Sequence, residues 1–189
     1  MTLLRGLAAL AAVGVATLGA ARAPAPAPQP RIAVLAVALN NLSSLPDDPP
    51  ARVGALGAAL RARLAGECGY EVIVLDSLAE ARGQAGPTYY YDHPDAGAQL
   101  ARSAGAQWAL IPRLSRASPW VTDLQLHVVR AADGAIVSNR AVELKGFGMS
   151  DDLTARLTQR GAVWMADQVD QAIEWATTSR TGAARRCPA

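Results

Sequence analysis

The sequence predicts an α/β (α+β) domain: a mixed sheet of about five strands with helices packed on it, in the order β-α-β-α-β-β-β-α. Three observations predict it. Trp108 to Gly146 reads as three consecutive antiparallel strands. Arg31 to Leu39 (RIAVLAVAL) is a short apolar run, the pattern of a central strand buried on both faces. Ala51–Ala65 and a long stretch from Ser150 to about Thr178 carry apolar residues at helical spacing.

Within the meander, Val121 to Arg130 alternates most clearly. Leu124, Leu126 and Val128 share one side, and Asp123, Gln125 and His127 the other. The second side reads as a polar surface strip. Asp133-Gly134 supplies a tight hairpin turn into the next strand, Ala135 to Lys145. The first strand holds Pro112, which cannot donate to a ladder, so a bulge or an edge is expected there. Ser118-Pro119 turns the chain into the middle strand. Helices on one side are the usual cover for such a meander's apolar face.

The other elements follow in order. After the first strand comes a proline-rich loop, Leu42 to Pro50, and then a helix with Val53, Leu56, Leu60 and Leu64 on its buried stripe. Gly66 fits its stop. Glu71 to Leu75 is the second strand, and a short helix follows from Ser77. Gly83 to Pro94 (GQAGPTYYYDHP) reads as a polar, aromatic loop. Asp95 then caps a helix whose stripe is Ala96, Leu100 and Ala104. Ser150-Asp151-Asp152 opens the last helix, with acids where its N-terminal dipole favours them. Leu153, Leu157, Trp164, Val169 and Ile173 form its stripe, and Gly146 to Met149 reads as a flexible joint before it.

The front of the chain has the layout of a secretory signal peptide over residues 1–21: one positive charge at Arg5, an uncharged Ala/Leu/Val/Gly run, then small residues. Residues 22–30 form a stiff Pro/Ala-rich linker. A single domain then spans 31–178, and 179–189 is a flexible tail. Export to the periplasm or beyond is the expected location. Contact with a membrane is expected only through the N-terminal run, if it stays uncleaved. The net charge is +2, and the basic residues, all arginine except Lys145, are scattered among acids. That is not the basic stripe of a nucleic-acid binder.

The search for chemistry yields little. There is no nucleophile elbow, phosphate loop or dinucleotide fingerprint. No catalytic residue, metal site or cofactor is assigned. His93 and His127 stand at no metal-ligand spacing. The candidate binding residues are Tyr89, Tyr90, Tyr91, Asp92, His93 and Trp120. Tyrosines can stack on a ligand, and a carboxylate can orient an imidazole. The plain alternative for the loop is a solvated turn leading into a helix. Trp120, beside Pro119 in a turn, either stands exposed for a protein or glycan contact or folds over the sheet end. Cys68 and Cys187 have two readings: a disulfide tying the tail to the turn after the first long helix, or two thiols.

Arg31-Ile-Ala-Val-Leu, the strand entry Gly69 to Val72, and Ala104 to Leu110 leading into the meander closed by Asp133-Gly134 resemble a bacterial family of small exported proteins, domain of unknown function 2380. The resemblance covers about Arg31 to Ala176. The layout is also similar to the amino-terminal domain of TolB and to CsgG-like periplasmic domains. It implies an envelope protein that works through protein contacts and carries no enzymatic activity. Members of the family tend to carry a cysteine pair just before the Asp95 helix. Tyr89 to Pro94 stands there instead, so no redox or metal role carries over. The expectation is a non-catalytic protein-binding or adaptor domain with an envelope partner. The alternative is a small hydrolase or small-molecule-binding protein using Tyr89 to Asp95.

Overall fold

The computed structural model describes residues 29–75, Gly86, 88–181 and Cys187. The elements are β1 (Arg31–Val34), β2 (Ala38–Asn41), α1 (Pro50–Gly66), β3 (Glu71–Ile73), α2 (Tyr89–Asp92), α3 (Pro94–Ser103), β4 (Trp108–Arg116), β5 (Thr122–Arg130), β6 (Ile136–Glu143) and α4 (Asp151–Thr181). They build one mixed sheet in the order β3-β1-β4-β5-β6, with β2 also paired to β4. β1 runs parallel to both β3 and β4, and β4, β5 and β6 form an antiparallel meander. The mixed-sheet α+β architecture is the expected one.

The strand count differs from five because the first apolar run is broken. β1 and β2 lie end to end along β4: Val34 pairs with Leu110, and Ala38 with Arg113. Pro112 explains the gap. Leu35 and Leu42 donate to the carbonyls of Leu110 and Arg116, so alternate residues of β4 turn their backbone towards β1 and β2. Pro112 is one of that set and has no N–H to offer. β4 is therefore neither an edge nor itself interrupted; its neighbour is.

Helices cover both faces, not one. α1 and α4 pack over Leu110, Leu114, Leu124, Leu126 and Val128 with Leu56, Leu60, Leu64, Met165 and Val169. α2 and α3 cover part of the other face, with Ala98, Ala101, Ala109, Ile111, Val129 and Tyr91 in its core. The buried stripe of α3 is Gly97, Ala98 and Ala101, one position round from the expected Ala96, Leu100 and Ala104. Small residues win that face because the helix lies almost on the sheet. A Cβ on Gly97 would sit 2.7 Å from Ile111 Cδ1.

Other boundaries shift for local reasons. His93, not Asp95, is the N-cap of α3, because Pro94 suits the first helical position. The expected loop around the tyrosines contains a turn of helix, Tyr89–Asp92. Gly134 takes the positive φ (74°) of the hairpin. Ser150 Oγ accepts from the Leu153 N–H, capping α4 as read. The joint before it is packed rather than loose: Phe147 is buried, and the Gly148 N–H donates to Thr154 Oγ1. The short helix expected from Ser77, the signal peptide and most of the linker and tail lie outside the described residues.

Cys68 and Cys187 form a disulfide. In the chain-entropy account, closing so long a loop contributes roughly 4 to 5 kcal/mol. A buried carboxylate fixes the approach. Asp170 accepts from the Tyr70 hydroxyl at 2.6 Å and from the Cys187 N–H at 3.1 Å.

Candidate functional site

The sequence-derived binding residues fall into two places. Tyr91, Asp92 and their neighbours lie over the middle of the α2/α3 face. Trp120 stands at the far end of the β4–β5 hairpin, and none of Tyr89 to His93 lines its pocket.

At the first place, α2 lays Tyr91 onto the sheet. Its ring stacks on His127 with centroids 3.9 Å apart and 22° between planes. The Arg113 guanidinium carbon lies 3.6 Å from the same ring centroid. Arg113 also donates to Gln125 Oε1 at 2.9 Å and to Asp92 Oδ1 at 3.2 Å. Asp92 is held in turn by the Thr88 hydroxyl at 2.8 Å. Tyr89 packs on Tyr90 and on His93. His127 is buried, only 6% exposed, which corrects the reading of its side as a surface strip. Alternation assigned it correctly to the face opposite Leu126; what it could not show was that α2 covers that face.

The electrostatics follow from this burial. Desolvation pushes the His127 pKa below its ordinary value, and the Arg113 charge pushes the same way; Asp92 and a hydrogen bond with Asn139 oppose them. Burial also raises the Tyr91 phenol, and Arg113 partly offsets that. Burial therefore favours the neutral imidazole. Among the described residues its Nδ1 has no hydrogen-bond partner.

At the second place, three loops meet. Arg116, at the end of β4, forms a buried ion pair with Asp48 and donates to the Pro46 carbonyl. Arg52 from α1 binds Asp48 at 2.9 Å and Asp151 of α4 at 2.7 Å. These ion pairs tie the loop before α1 to the hairpin and to the start of α4. Above them, Leu45, Trp120, Phe147 and Met149 border a pocket of about 270 Å³. Phe147 is its buried base. Trp120 is 64% exposed, and Leu45 and Met149 are exposed beside it. Leu42, also exposed, starts the loop that carries Leu45, and its N–H donates to the Arg116 carbonyl. Trp120 thus stands out rather than folding over the sheet end. Sequence reading found Trp120 but missed Leu45 and Met149. The available signal was large apolar residues inside loops, at Leu42–Pro46 and Gly146–Met149.

A wider groove of about 690 Å³ runs along α1, lined by Val37, Leu39, Val53 and Val74 with Arg61 at its border. Its lining includes no buried polar atom that lacks a partner. Among the described residues no cluster of His, Cys, Asp and Glu fits a metal, and no helix is long and apolar enough to cross a membrane.

This is a mixed α+β fold with an apolar rim at the Trp120 end. The chain belongs to the family described as a protein of unknown function (DUF2380; family model DUF3280), which matches residues 30–168. No curated protein matches the chain. Among solved structures it is similar to the LpoB C-terminal domain from Salmonella enterica, at 16% identity and a TM-score of 0.44, covering 64% of this chain and 87% of that one. It is also similar to the PelC dodecamer structure from Paraburkholderia phytofirmans, at 17% identity and TM-score 0.44, covering 71% and 83%. A third similarity is to TolB from Acinetobacter baumannii, at 17% identity and TM-score 0.43, covering 83% of this chain and 30% of that chain.

Proposed function

We propose that this chain is an exported, non-catalytic domain of the cell envelope that docks a protein partner through the apolar rim around Trp120. The observation that carries the reading is the rim itself. Three large apolar side chains, Leu45, Trp120 and Met149, are exposed around one pocket, on loops tied together by the buried Arg116–Asp48 pair and by Arg52–Asp151. Exposed apolar residues scattered singly are ordinary; a cluster ringed by polar groups marks an interaction surface. A tryptophan beside a small pocket is the usual anchor of such an interface. The N-terminal sequence supports export, since its charge and apolar run match a signal peptide.

The test is site-specific photo-crosslinking in the envelope. A crosslinker at position 120 should capture one protein that a crosslinker at the exposed Gln99 of α3 does not, and Trp120→Ala should abolish co-purification of that protein. Equal capture from both positions would refute the docking role of the rim.

The second reading, a small-molecule site at Tyr89, Tyr90, Tyr91, Asp92 and His93, is favoured by one observation. Among the described residues the buried His127 Nδ1 beneath Tyr91 lacks a partner, and a small ligand with a donor group would satisfy it.

A further inference from the structure

We propose that the outer edge of β6 is a self-association surface that takes β6 of a second copy of this chain, antiparallel and centred on Ala141. This goes beyond the rim at Trp120 and does not depend on it.

The two edges of the sheet differ. β3 is 3 residues long and β6 is 8. β6 contains no proline, and among the described residues no strand pairs with its outer side. The direction of its backbone groups can be read from its neighbours. The Leu144 N–H donates to the Thr122 carbonyl, and the Gly146 N–H to the Trp120 carbonyl. In an antiparallel ladder alternate residues point the same way, so Arg140 and Val142 also face β5. Asn139, Ala141 and Glu143 then turn both N–H and C=O outward. A row of open donors and acceptors on a long edge is a template for another strand.

A second copy of the same strand fits that template. With Ala141 on the two-fold axis, Ala141 lies opposite Ala141, and Asn139 lies opposite Glu143 in both directions. All three outward residues of each copy meet outward residues of the other. No like charges face each other in that register. Moving the centre to Arg140 would set two guanidiniums opposite one another, which disfavours it. A two-fold axis normal to the sheet keeps the α1/α4 faces on the same side. It therefore brings the margin of α4 in each copy towards the other. That margin is mixed, with Arg140, Gln168 and Gln171 beside its apolar residues. Val137, Ala172 and Trp175 border a groove of about 430 Å³, and Trp175 is 73% exposed. The exposed indole has a large apolar surface to bury and a similar one to bury it against.

The experiment is light scattering of the purified chain, followed by the Ala141→Pro variant. The wild type should show twice the chain mass at high concentration. Ala141→Pro removes an outward N–H without removing a β5–β6 bond, so circular dichroism should be unchanged while the mass halves. Trp175→Ala should raise the dissociation constant. A wild type that stays monomeric at its solubility limit overturns the proposal, as does a dimer that persists in folded Ala141→Pro. If that variant does not fold, hydrogen exchange of the wild type decides. The Ala141 and Glu143 amides should exchange more slowly at high protein concentration, and unchanged exchange overturns the proposal.

Discussion

On the α1/α4 face the sheet carries Leu110, Leu114, Leu124, Leu126 and Val128. On the α2/α3 face the same strands carry Ala109, Ile111, Arg113, His127 and Val129. The first face meets two long helices through branched aliphatic side chains. The second meets a ten-residue helix through Gly97, Ala98 and Ala101, and a single helical turn through Tyr91. The difference teaches where each face is vulnerable. A core filled by large side chains fails when one is truncated. A core built on close backbone approach fails when one is enlarged, and its polar neighbours make it sensitive to pH.

The largest effect should come from the aliphatic face. Leu110 is completely buried. Leu110→Ala should cost about 2 to 5 kcal/mol, from lost burial plus the cavity left behind. Urea denaturation would measure it, and a cost within experimental error would break the contrast between the faces.

The opposite manipulation probes the other face. Gly97→Ala adds one methyl where Ile111 Cδ1 is 2.7 Å away. Ala is the better helix former, yet the overpacking should still destabilise by about 1 to 3 kcal/mol. A stabilised variant would mean that Ile111 gives way freely.

The pH response should be smaller and is read at His127 on the α2/α3 face. The His127 pKa is lowered in the folded protein from its ordinary 6.5, chiefly by burial and secondarily by Arg113. A base whose folded pKa is depressed binds fewer protons folded than unfolded. Stability therefore rises with pH through this range, and falls as pH drops below about 6.5, until the folded pKa is passed. His127→Phe keeps a ring stacked on Tyr91 and removes the titration. Its melting temperature should be flatter than the wild type's between neutral and mildly acidic pH. An identical slope in both proteins would remove His127 as the source.

The smallest stability effect should be at the rim. Trp120→Ala should change folding free energy by no more than about 0.5 kcal/mol, because its side chain is mostly solvated. A large destabilisation would show that Trp120 serves the fold rather than a partner.

Much of this was legible from residues. The stripe Val53, Leu56, Leu60 and Leu64 is buried as periodicity required, and Asp133-Gly134 turns the hairpin. Ser150 caps α4. These are local rules, written within one or two turns of chain. The binding residues were less legible. Tyr89 to His93 drew notice by composition, but the partners of Tyr91 sit on β4 and β5, at Arg113 and His127. Trp120 drew notice as a lone aromatic in a turn. Its companions Leu45 and Met149 are distant in sequence and meet it where the buried Arg116–Asp48 pair and the solvent-facing Arg52–Asp151 pair tie three segments together.

By itself the sequence determined the fold class, the meander and the spacing of the long helices. Hydrophobic period and turn chemistry act over short separations, so they survive without knowledge of neighbours. The tertiary structure alone decided that the first apolar run breaks opposite Pro112, that His127 is covered, that Cys68 meets Cys187, and that Trp120 joins an apolar rim. Each depends on which surface another segment reaches. Such contacts are set by packing of the whole chain and leave no mark on local pattern.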